Sequence, residues 1–214
     1  MNTKKLTTLA MLSAIALVLA AFARVPIVLF LRYDPKDVVI AIGGFIYGPM
    51  AALMIAVVVS VIQMFTVSQT GPWGLLMNII ASGAFCCTAA YIYKKNRTMK
   101  GAIYGLIAGF FISTAAMMTW NYLVAPIYMG VPREEVARLL IPAFLPFNLI
   151  KNGLNVAFTI LLYKHVKAIL KLTNLLPPSA EQNNPVKFNL GALLASVFVV
   201  ITCVLWILML QGIF

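Results

Sequence analysis

Asn148, Lys151, Asn152 and Asn155 fall at i, i+3, i+4 and i+7, so a helix carrying them presents three amides and one ammonium on a single face. Asn121, Asn78 and Gln63 supply further amides from other apolar segments. These groups donate and accept hydrogen bonds but include no carboxylate or imidazole. They suit recognition of a neutral, hydrogen-bonding heterocycle better than a proton relay, which would need Asp, Glu or His in the same segments. Lys151 is the energetic problem of the group. It is the one charged residue between Leu139 and Tyr163, and an ammonium inside a bilayer costs roughly 2.5–3.5 kcal/mol on insertion scales. Three solutions are open: a ligand held by Asn148 and Lys151, a carboxylate (Asp34 or Asp37) folding in from the first outer loop, or a neutral amine. Single amides in membrane helices also act as interhelical glue, at about 0.6 kcal/mol each, and Gln63 and Asn152 are read that way.

Catalytic chemistry finds little support. The single histidine, His165, lies in a basic segment after the polar stripe, where a solvated or headgroup position is expected. Cys86, Cys87 and Cys203 sit in apolar surroundings as small packing residues, and an adjacent pair with a distant third does not make a metal site. A Gly-rich phosphate loop is absent from the sequence. No catalytic or metal-ligating residue is therefore assigned, and uphill transport would need energy from another subunit.

The elements that must hold the stripe are membrane helices. Of 214 residues, 63% are hydrophobic, and Val38 to Tyr93 runs for 56 positions without Asp, Glu, Lys or Arg. Lipid offers the backbone no hydrogen bonds, so runs of this kind are helical, and the period-2 alternation of a β-barrel is missing. The expected fold is an all-α polytopic membrane protein. Leu6–Ala23 is one span; Val38–Tyr93 holds three, broken at Tyr47-Gly48-Pro49 and across Ser68 to Gly74; Gly101 to about Pro126 is the fifth; and Leu139 towards Lys171 is the sixth. The second, about ten residues from Val38 to Tyr47, covers half a bilayer and implies a cavity rather than plain packing. Pro142 and Pro146 set the start of the regular sixth helix near Phe147, which places Lys151 about one turn inside its outer end. Phe188 to Phe214, uncharged over 27 residues, is a seventh span. The chain thus divides into a six-helix domain (1–172), a polar linker (173–187) and an added C-terminal helix (188–214).

Six helices put Lys4, Lys5, Lys94, Lys95, Arg97, Lys100, Lys164, Lys167, Lys171 and Lys187 on one side, against the single acid Glu181. The other side holds Arg24, Arg32, Lys36, Arg133 and Arg138 beside Asp34, Asp37, Glu134 and Glu135. The positive-inside rule makes the N-terminus cytoplasmic. The formal charge of +11 is then mostly topology; the bilayer is the partner and nucleic acid is not expected. Ala21-Phe22-Ala23 would also pass as a secretory cleavage site, but a chain with further spans needs no cleaved signal. Ala10 and Ala14, like Ala16 and Ala20, have the small-xxx-small spacing that permits close helix approach.

The ordered segments LSAIALVLA (Leu12–Ala20), RYDPKDV (Arg32–Val38), FIYGPMAAL (Phe45–Leu53), GPWGLLMN (Gly71–Asn78), WNYLVAPIY (Trp120–Tyr128) and PFNLIKNGLN (Pro146–Asn155) resemble the riboflavin-specific S component of energy-coupling factor (ECF) transporters, over roughly residues 5–172. The resemblance implies a six-helix subunit that binds riboflavin from the outside, with the phosphorylated flavin FMN left open as a second ligand. It implies partners as well: a transmembrane coupling protein and two cytoplasmic ATPases that use ATP, the chain itself carrying no cofactor. By similarity Asn121, Asn148 and Lys151 meet the isoalloxazine edge or the ribityl chain. Asn78 joins them as a substrate-binding residue, Asp34 and Asp37 belong to a lid loop, and Ala10 and Ala14 dock the coupling protein. The seventh segment departs from the family pattern. Two rival readings remain, an S component for another vitamin such as pantothenate or thiamin, and a lipid-handling membrane enzyme.

Overall fold

The computed structural model describes residues 3–29, 31–66, 70–172 and 190–211. The linker expected at 173–187 lies outside the described residues, as do the ends of the last apolar segment.

Helix α1 (Thr3–Phe22) leads into a two-stranded antiparallel hairpin, β1 (Val25–Val28) and β2 (Leu31–Tyr33), with Val25 opposite Tyr33. Helix α2 (Lys36–Tyr47) follows, then α3 (Pro49–Thr66), α4 (Gly71–Lys95) and α5 (Met99–Met129). Helix α6 is a continuous run in three pieces, Arg133–Leu139, a π turn over Leu140–Phe144, and Leu145–Leu172. Helix α7 is Leu190–Leu210. Among the described residues α1, α3, α4, α5, α6 and α7 are long and apolar enough to cross a membrane; with the short α2 they make the expected six-helix bundle plus a seventh helix.

α2 is the centre of the bundle. At 1.5 Å per residue its 12 residues extend about 18 Å, a little over half the hydrocarbon core. Every residue from Lys36 to Ile46 is buried, as a helix apolar on all sides must be. Gly44 permits this, since a Cβ there would stand 2.9 Å from the Cβ atoms of both Ala52 on α3 and Ala90 on α4. Gly48, at φ +93°, ends the helix and turns the chain into α3.

The α4–α5 contact rests on Gly105 and Gly109, where an added Cβ would fall 2.6 Å from the carbonyl oxygens of Ala89 and Phe85. This is a GxxxG approach of two membrane helices, a second small-residue contact besides the one expected on α1. On α1 the buried small pair is Ala16 and Ala20, whereas Ala10 and Ala14 face away from the bundle.

Three boundaries differ from expectation. α2 begins at Lys36 rather than Val38, which takes Asp37 out of the loop and into the first helical turn. α5 runs past Pro126 to Met129 before Gly130 stops it at φ +67°. α6 is helical from Arg133 instead of Phe147, so Lys151 lies about five turns along it. The reason is the π turn: Pro142 lacks an N–H, and the Leu145 N–H reaches five residues back to the Leu140 carbonyl, which absorbs the proline without ending the helix.

α7 packs along α6, where Gly153 leaves room for Cys203. Its far end holds the hairpin: Ile207 shares an apolar cluster with Ile27 and Tyr33, and Gln211 Nε2 donates to the Pro26 carbonyl at 2.8 Å. The C-terminal end of α7 therefore stands at the hairpin end of the bundle.

Candidate substrate site

A cavity of about 390 Å³ lies beneath the hairpin, within the ~300–1,000 Å³ usual for small-molecule sites. Arg24, Leu31 and Asp34 bound it from the hairpin segment, Gln63 from α3, Trp73 and Asn78 from α4, Asn121 and Tyr128 from α5, and Phe147, Asn148, Lys151 and Asn152 from α6. Apolar and aromatic groups form much of the wall, with a few amides and charges converging on it.

The stripe on α6 divides into roles. Asn148 Nδ2 donates to the Phe144 carbonyl at 2.8 Å, which ties the side chain to its own helix beside the π turn. Asn152 Nδ2 donates to Thr114 Oγ1 on α5 at 3.0 Å, the interhelical contact expected of it. Asn155, fully buried below the cavity, accepts from the Tyr33 hydroxyl at 3.1 Å and donates to Asp37 Oδ2 at 3.4 Å. Burial and the carboxylates of Asp37 and Asp34 push the Tyr33 phenol up, so it stays protonated as that donor.

Of the three solutions open for Lys151, the structure takes the second. Lys151 Nζ forms an ion pair with Asp37 Oδ2 at 3.4 Å while still lining the cavity. An ammonium carries three protons, and the pair leaves hydrogen-bonding capacity on the cavity side. Asp37 does not line the cavity. It lies under Lys151, where Ser82 Oγ donates to Oδ1 and the Cys86 thiol donates to its backbone carbonyl at 3.3 Å. Ser82 immediately precedes a π turn in α4, Gly83–Cys87, an irregularity of the kind that commonly re-aims side chains at sites.

Asp34 and Asn78 both line the cavity and are tied together behind it by Lys36, which the sequence presents only as an outer-loop cation. Lys36 is completely buried, with Nζ 2.6 Å from Asn78 Oδ1, 2.9 Å from Gln63 Oε1 and 3.4 Å from Asp34 Oδ2. Gln63, expected as glue, belongs to this cluster. Asp34, Lys36, Asp37 and Lys151 together sum to zero charge, which is how a membrane interior tolerates four ionisable groups. The signal in the sequence was Asp34-Pro-Lys36-Asp37 standing directly before the 56-residue uncharged run. Asn121, buried on α5, also lines the cavity.

The remaining reactive side chains lie elsewhere. His165 is exposed, and its ring meets the Leu161 carbonyl of its own helix. Among the described residues no three His, Cys, Asp or Glu side chains gather as a metal site would require.

The sequence and the fold have counterparts among known proteins. The family model for "ECF transporter, substrate-specific component" matches residues 4–163. A Staphylococcus aureus protein named riboflavin transporter RibU is 34% identical over 177 residues, covering 78% of this chain and 93% of its own length. Riboflavin transporter RibU of Streptococcus thermophilus is 32% identical over 182 residues, with 79% and 85% covered. Riboflavin transporter FmnP of Bacillus subtilis is 32% identical over 178 residues, with 77% and 93% covered. A solved structure of the S component of a bacterial ECF transporter superposes with a TM-score of 0.68 at 33% identity, covering 78% of this chain and 98% of the other. The chain belongs to the substrate-specific components of ECF transporters. It is a multi-pass membrane protein with the architecture of that family, and α7 lies beyond the residues that the family model matches.

Proposed function

We propose that this chain captures riboflavin from the outside of a bacterial cell membrane and delivers it with an ATP-driven coupling module. The observation that carries the reading is the cavity itself. Riboflavin is flat, uncharged at neutral pH and rich in acceptors, and the cavity combines Trp73, Phe147 and Tyr128 with donors from Lys151 and the amides of Asn78, Asn121 and Asn148. Relatives at 32–34% identity carry the name of riboflavin transporters. Asp34 serves as an acceptor at the same wall, and Asp37 acts from beneath by holding Lys151.

The N-terminus is cytoplasmic by the distribution of Lys and Arg, which turns the hairpin and cavity outward. Ala10 and Ala14, exposed on α1, form the face for a transmembrane coupling protein, with two cytoplasmic ATPases completing the module. The chain needs no cofactor of its own and is a binding subunit rather than an enzyme. FMN is a second candidate ligand, for which Arg24 and Arg32 at the cavity offer cations to the added phosphate. Expression in a riboflavin-requiring strain that supplies a coupling module tests the reading: growth on low riboflavin supports it, and growth no better than the empty vector refutes it.

A further inference from the structure

Three acceptors converge on the buried Lys36 ammonium: Gln63 Oε1, Asn78 Oδ1 and Asp34 Oδ2. An ammonium has three protons and no lone pair. It is satisfied by three acceptors, and an amide NH2 turned towards it would present a donor to a donor. Oxygen towards Lys36 and nitrogen away is therefore the one orientation that chemistry permits for both amides. Gln63 and Asn78 line the cavity, and Lys36 does not.

We infer that Lys36 is a positioning residue for ligand recognition: by gripping the carbonyl oxygens of Gln63 and Asn78, it turns both NH2 groups into the cavity as fixed donors. An amide is otherwise ambivalent, since a half-turn exchanges its donor for its acceptor. Lys36 removes that choice on two helices at once, α3 and α4. Asp34 lines the same wall, with its Oδ1 buried and without a hydrogen-bond partner among the described residues. The wall thus presents paired donors, which selects an uncharged ligand with adjacent acceptor oxygens or ring nitrogens and rejects one that offers donors in their place.

The ligand readout rests on the riboflavin reading above, so a ligand-free readout accompanies it. Flavin fluorescence quenching gives the riboflavin Kd of wild type, Asn78→Asp, Gln63→Glu and Lys36→Met. The two acidic variants keep an oxygen for Lys36 and replace the cavity-facing NH2 with a second oxygen. Each of the three variants is expected to bind at least tenfold more weakly. The acidic variants keep an acceptor for Lys36 but add one negative charge to a neutral cluster, so a ligand-free melt of each establishes that it is folded; folded acidic variants decide the matter if Lys36→Met does not fold. Side-chain amide NMR on empty protein should show Gln63 and Asn78 NH2 protons exchanging readily with D2O in a single orientation. In Lys36→Met/Asp34→Asn the same amides should give two sets of signals. Wild-type affinity in Asn78→Asp and Gln63→Glu, or protected NH2 protons in the wild type, would overturn the inference. If wild type binds no riboflavin, the proposed function fails and the amide signals alone decide the role of Lys36.

Discussion

Asp37 Oδ2 lies 3.4 Å from Lys151 Nζ, and the carboxylate has only 1% of its side chain exposed. Ser82, Asn155 and the ammonium share its two oxygens, so the charge is compensated wholly inside the protein. Removing one member of a buried pair costs about 3–5 kcal/mol, because the other is stranded, whereas removing both can be nearly neutral.

Lys151→Met and Asp37→Asn are each expected to lower the melting temperature of the ligand-free protein sharply. The double variant should recover most of the loss while still binding riboflavin more than tenfold more weakly, since the cavity has lost the ammonium. Melting curves in detergent check this. Additive losses in the double variant would show that the two charges do not depend on each other.

Gly105→Ala should destabilise the bundle severely, because its Cβ would fall 2.6 Å from the Ala89 carbonyl oxygen, a backbone atom that cannot swing aside. Gly83→Ala is the control. The nearest neighbour there is 4.0 Å away and the backbone is helical at φ −62°, so alanine should be tolerated or gain up to about 1 kcal/mol of helix propensity. Thermal melts of both variants, side by side, separate close helix approach from a general intolerance of change.

The legibility of these features in the sequence was uneven, for physical reasons. The helix count and the half-length α2 follow from hydropathy and from Gly48, which are local signals. The face shared by Asn148, Lys151 and Asn155 follows from helical period. What the sequence could not convey was partnership: Lys36 and Arg32 look alike as loop cations, yet one is wholly buried among three acceptors and the other lies at the cavity. Proline ordinarily marks a helix boundary, and the π turn that absorbs Pro142 is a register choice with no composition signature. Gln63 joins two helices, as glue does, but its partner Lys36, 27 residues away in the chain, is set by the packing of α2 against α3.

Deleting residues 188–214 should leave the six-helix bundle folded but free the hairpin. α7 reaches it through Ile207 and the Gln211 contact to Pro26, and Tyr33 passes that restraint to Asn155. Riboflavin release is expected to accelerate by roughly tenfold, equal to ~1.4 kcal/mol, as seen by stopped-flow recovery of flavin fluorescence. An unchanged release rate would limit α7 to lipid-facing packing on α6.

Ala10→Trp with Ala14→Trp should leave riboflavin binding by the purified subunit within about twofold of wild type, because both side chains face away from the bundle. The same variant should lose riboflavin uptake in cells supplying the coupling module, since a bulky ring on a small-residue face blocks close helix approach. Retained uptake would move the docking face elsewhere.

The most direct measurement is an equilibrium titration of the purified, ligand-free protein with riboflavin, followed by quenching of flavin fluorescence, with thiamin and pantothenate as competitors. Saturable quenching at one site per chain, undisturbed by either competitor and weakened more than tenfold by Lys151→Met/Asp37→Asn, is the predicted result. A folded protein that leaves flavin fluorescence unchanged, or that releases flavin to thiamin or pantothenate, would contradict the account.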